Sequence, residues 1–102
     1  MLLSFPASIT PDGDGFLVLF PDIPEAVTCG DTYEEALQMA SDAIVTAMDF
    51  YLEDQRPVPQ PSRPSQNQVL IDLSESLSER VFQLNETLTS RARNAGTVPQ
   101  NL

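Results

Sequence analysis

Leu3, Phe5, Ala7 and Ile9 alternate with Ser4, Pro6 and Ser8, and that two-residue period predicts a half-buried strand. Pro6 has no amide proton to give a ladder, so this strand is expected at a sheet edge or paired on one side only at that point. Pro11-Asp12-Gly13-Asp14-Gly15 combines a residue that presets φ with two glycines that accept positive φ, and it should reverse the chain. Phe16-Leu17-Val18-Leu19-Phe20 is apolar on both faces, the pattern of a central or doubly covered strand. One face can meet a helix. The other needs a second cover, which another copy of so short a chain could supply.

Pro21 and Pro24 flank a turn, and Glu25 to Cys29 reads as a short third strand that stops at Gly30. Thr32 with Glu35 three residues on matches a capping box, in which the hydroxyl accepts from the N3 amide and the carboxylate reaches back to the cap amide. Tyr33, Ala36, Leu37, Ala40, Ala43, Ile44, Ala47, Met48 and Tyr51 then recur at helical spacing. The stripe is rich in alanine, so this helix should lie close to the sheet. Arg56 to Gln68 carries Pro57, Pro59, Pro61 and Pro64 and is expected to be an extended linker. Val69 to Leu73 is a further strand candidate. Ser76-Leu77-Ser78-Glu79 matches a second capping box, continued by Leu77, Val81, Leu84 and Leu88 as an amphipathic helix. The expected fold class is α+β, an antiparallel three-stranded meander followed by a long helix, a further strand and a C-terminal helix. Its divisions are residues 1–56 as the core, 57–68 as the linker, 69–93 as a strand and helix, and 94–102 as a polar tail expected to fray. Phe16, Val18 and Phe20, with Leu77, Val81, Leu84 and Leu88, are candidate oligomer-interface residues, and a homodimer or homotetramer is expected.

At 102 residues there is room for one modest core. A net charge of -10, with no lysine and no arginine before Arg56, opposes direct affinity for nucleic acid and favours a basic partner, although acidic surfaces also serve solubility alone. Cys29 is the sole cysteine, so no internal disulfide is possible and the cytoplasm fits best. The start M-L-L-S-F-P lacks the pattern of a signal peptide, and the run from Phe16 to Phe20 is too short to span a bilayer, so no membrane role is expected.

Candidate chemistry is sparse. There is no histidine, which removes the commonest general acid or base near neutral pH. Cys29 among apolar neighbours has the character of inert core. Asp12-Gly13-Asp14-Gly15 resembles a calcium loop, but Ile23 stands where an EF-hand requires glutamate, so a turn is the reading. Asp22, Glu25, Asp31, Glu34 and Glu35 could crowd at one end of the sheet and hold magnesium, yet such carboxylates more often form a solvated or partner-facing rim. A non-enzyme with no cofactor and no metal is the expectation.

Phe5-Pro6-Ala7, Gly15-Phe16, Phe20-Pro21-Asp22-Ile23-Pro24-Glu25-Ala26, Thr28-Cys29-Gly30-Asp31-Thr32, Glu34-Glu35-Ala36 and Pro59-Gln60-Pro61-Ser62, in this order and spacing, resemble the HicB antitoxin family. The resemblance implies a partial ribonuclease-H-like domain that neutralises HicA, a small basic toxin that cleaves messenger RNA, by binding it and shielding its catalytic histidine. Under that reading Asp22, Glu25, Asp31, Glu34 and Glu35 are candidate toxin contacts, with Tyr33 as an anchor at their rim. Many family members also carry a C-terminal DNA-binding domain that represses their own operon. Here only six residues follow Gly96, too few for a recognition helix, so DNA binding by this chain is an alternative reading and not the leading one.

Overall fold

The computed structural model describes residues 2–97, with side chains to Ala92. Its elements run β1 (Ser4–Asp12), β2 (Gly15–Leu19), β3 (Val27–Gly30), α1 (Tyr33–Asp54), β4 (Gln68–Asp72) and α2 (Glu75–Thr97). The strands form one antiparallel sheet in the order β3-β2-β1-β4. This is the expected meander, helix, further strand and C-terminal helix. Residues 98–102, the end of the expected polar tail, lie outside the described residues.

β1 divides its pairing along its length. Ser4 to Ser8 face β4, and Ser8 to Asp12 face β2. Pro6 therefore sits opposite Leu70 with no β2 residue across from it, so an imino acid occupies an internal strand without breaking a ladder on its second side. The β1–β2 connection is the two-residue turn Gly13-Asp14, and of the two glycines anticipated to take positive φ only Gly13 does, at 61°.

α1 lies against one face of the sheet. Thr32 is its N-cap, accepting from the Glu35 amide at 3.1 Å. The Glu35 carboxylate reaches back to the Asp31 amide at 2.7 Å, one residue before the cap amide that the sequence pattern suggests. Gly30 is required here by space, because a Cβ on it would stand 2.5 Å from the Ala36 nitrogen. Ala36, Ala40 and Ala47 continue the close approach, and Ile44, Met48 and Tyr51 fill the core with Phe5, Ala7, Val18, Phe20 and Ile71. α1 ends at Gln55, whose φ of 55° places it in the left-handed region, and the next amide, from Arg56, closes the end on the Tyr51 carbonyl at 3.0 Å.

The proline-rich segment is fastened. The Val58 amide donates to Asn85 Oδ1 at 2.8 Å, and Asn85 Nδ2 donates back to the Val58 carbonyl at 3.0 Å. Val58 itself is buried in the same core as Leu73, Leu77, Val81 and Leu84. α2 starts earlier than its sequence pattern suggests. Ser74, not Ser76, is the cap, accepting from the Leu77 amide at 3.1 Å. Ser78, read from the sequence as part of the cap, is fully buried, and its hydroxyl accepts from the Leu3 amide at 2.9 Å.

Candidate partner-binding site

The carboxylates singled out in the sequence serve different ends. Asp22 accepts from the Ser62 amide at 2.8 Å and from the Ser62 hydroxyl at 2.6 Å, tying the proline-rich segment to the β2–β3 turn. Glu25 accepts from the Tyr51 hydroxyl at 2.9 Å and pairs with Arg56 at 3.1 Å, while the Arg56 guanidinium lies over the Tyr51 ring at 4.1 Å. A backbone amide, foremost, and then Tyr51 and Arg56 hold the Glu25 carboxyl below its ordinary range against the opposing effect of burial. Burial, and then Glu25 as acceptor, raise the Tyr51 phenol. Glu35 caps α1. Asp31 and Glu34 have exposed side chains at the start of α1. Tyr33 is exposed and meets Phe16 edge-on, with ring centroids 5.9 Å apart. Among the described residues no group of three or more acidic or cysteine side chains converges closely enough to hold a metal ion.

The residues anticipated at an oligomer interface are placed largely inside the chain. Val18, Phe20, Leu77, Val81 and Leu84 are buried in its own core, and Phe16 and Leu88 pack partly against it. Register puts Val18 and Phe16 on the α1 side of β2, so the opposite face of the sheet carries Leu17, Leu19, Val27, Cys29 and Leu70. Leu19, Val27 and Leu70 are exposed there, and so is Cys29, which sequence reading placed in the core.

A feature that the sequence pattern does not announce lies on the α1 side. Between the outer edge of β3 and α1 runs an open trough of about 340 Å³, with Val27 and Thr28 along the strand and Met39, Ala43, Thr46 and Phe50 along the helix. Glu25 and Asp42 supply its charge. Met39 and Phe50 are exposed large apolar side chains, Phe50 at 56%. The only sequence signal for it is a second, weaker helical row at 39, 43, 46 and 50, offset from the core stripe. The helix behind it carries Glu34, Glu35, Asp42, Asp49, Glu53 and Asp54 and no basic residue.

Residues 4–79 match the family model described as the HicB-like antitoxin of bacterial toxin-antitoxin systems. The chain belongs to this family. Among HicB relatives, "Antitoxin HicB 2" of Photorhabdus laumondii is 44% identical over 106 aligned positions, covering 98% of this chain and 75% of its own length. "Antitoxin HicB" of Escherichia coli K12 is 40% identical, covering 86% of this chain and 64% of that protein. In "Antitoxin HicB 1" of P. laumondii the aligned region is 57% of the protein, so these HicB relatives extend beyond the part matched here. The crystal structure of the N-terminal domain of Burkholderia pseudomallei antitoxin HicB covers 71% of this chain and 96% of its own, with a TM-score of 0.53 at 24% identity, and shares the fold. In HicB terms, β1 to β4, α1 and the start of α2 are the family domain. No helix among the described residues is long and apolar enough to cross a membrane.

Proposed function

We propose that this chain is the antitoxin of a type II toxin-antitoxin pair, acting without catalysis in the cytoplasm by binding and inhibiting a small basic HicA-type toxin that cleaves messenger RNA. The observation that carries this reading is the family match across residues 4–79. A charge of -10 with an α1 free of basic residues supports it, since such a surface attracts a protein that must itself bind RNA phosphates. Asp31 and Glu34, exposed at the start of α1, are the sequence-derived contacts most open to a partner, with Tyr33 beside them. Asp22 and Glu25 have both carboxylate oxygens engaged within the chain, and Glu25 lies by the C-terminal end of α1, so of these three only Glu35, with one oxygen on the Asp31 amide, stands beside Asp31 and Glu34. The test is co-purification with the product of the neighbouring gene, followed by RNA-cleavage assays of that product with and without this chain. Stoichiometric binding with loss of cleavage is expected. A neighbour that neither binds nor is silenced refutes the proposal.

A further inference from the structure

The trough beside β3 has the features of a site for one particular kind of ligand. β3 ends the sheet, so the backbone groups on its outer side have no strand partner, and an unpaired edge is a template for an added strand. Below that edge, on the α1 side, lies the trough itself. A strand laid against β3 would hang every second side chain over Met39, Ala43 and Phe50, which is how strand addition combines main-chain affinity with side-chain selection. β3 spans Val27–Gly30, so the added segment need be only about 13 Å long at the usual rise of a strand.

Charge selects the occupant. Glu25 already holds Arg56, but Asp42 has an exposed side chain, bonded only by Gln38 at 3.3 Å among the described contacts. Asp49, a further two turns along α1, extends the acidic row. A second copy of this chain would bring the same carboxylates and its own -10 against them, and like charges set opposite each other cost several kcal/mol in an interface. The geometry points to an extended segment of the toxin that adds to β3 as a fifth strand, with the every-second side chains on its α1 side being aliphatic over the trough and cationic where they meet Asp42 and Asp49. This inference rests on the antitoxin reading and gives it a docking surface.

Thr46→Arg and Asp42→Lys test it, because both side chains are exposed and neither serves the core, so the fold and its thermal midpoint should stand. Each should weaken binding of the neighbouring gene's product by about tenfold to a hundredfold, while Glu86→Lys, an equal charge reversal at an exposed position on α2, should leave it unchanged. The Val27 amide already donates to the Glu25 carbonyl at 3.1 Å, so hydrogen exchange in the complex should slow at the outward amide or amides of Thr28–Gly30. Wild-type affinity retained in both trough variants, or unprotected β3 amides in a complex that forms, overturns the site and leaves the antitoxin reading standing. Failure of the wild-type chain to bind overturns both. A fall in the sedimentation mass of the free Thr46→Arg chain would assign the trough to a second copy and overturn the assignment to the toxin.

Discussion

Ser78 shows how much one hydroxyl can carry. It is the acceptor for the Leu3 amide at the point where the amino terminus meets α2, and it is fully buried. Ser78→Ala leaves that amide without its partner and should cost about 1–3 kcal/mol in urea unfolding, whereas Ser76→Ala, at an exposed position, should change stability by less than about 0.5 kcal/mol. An equal effect of the two substitutions would show that the Leu3–Ser78 bond is not what holds the amino terminus to α2. Glu25 supplies a prediction in pH. Its carboxyl is depressed in the folded chain, so its contribution to stability is present above the ordinary glutamate range and disappears as pH falls through the depressed value. The difference in melting temperature between wild type and Glu25→Gln should therefore be positive at pH 7 and close on acidification. A difference that persists unchanged at low pH would show that the charge on Glu25 is not what joins the β2–β3 turn to Tyr51 and Arg56.

Among elements, the proline-rich segment behaves as a strap. Asn85 makes a reciprocal pair of hydrogen bonds with the Val58 backbone, and Ser62 is held by Asp22, so the path from α1 to β4 is fixed at two places. Asn85→Ala should destabilise the chain by about 1–3 kcal/mol and open residues 57–68 to limited proteolysis, while Asn85→Asp, which keeps the acceptor for the Val58 amide, should protect better. Equal cleavage of wild type and Asn85→Ala would refute the strap. The elements themselves were legible because their signals are local: alternation in β1, the Thr32 and Glu35 cap, the alanine stripe of α1. What was illegible depends on which of several equivalent residues faces inward. Ser74, Ser76 and Ser78 all precede or enter the same apolar row, and only the arrival of Leu3 from the other end of the chain distinguishes them. In β2 every position is apolar, so period alone gives no inner face, and Val18 rather than Leu19 is decided by pairing with Ile9 and by α1 above. The trough escaped for a related reason, since it is a gap between elements and has no pattern of its own.

At the scale of the whole molecule the two sides of the sheet differ in kind. The α1 side is acidic and grooved; the opposite side displays Leu19, Val27 and Leu70. Self-association through that second side, as a homodimer or homotetramer, accords with its apolar character, and sedimentation should give a multiple of the 11.2 kDa chain mass that Leu19→Asp reduces. A wild-type mass equal to one chain would refute it.

The divided pairing of β1 also orders events in time. Its distal half needs only a two-residue turn to find β2, whereas its proximal half must wait for β4, whose Val69 faces Ala7 after the whole of α1 and the proline-rich strap have been made. Closing so long a loop is slow beside closing a hairpin. A chain leaving the ribosome can therefore hold β2, β3 and α1 together while Ser4 to Ala7 still lack their only strand partner. The strand that completes the sheet is synthesised after the other three strands and α1, and until it docks the amino-terminal edge is open to whatever other strand reaches it first.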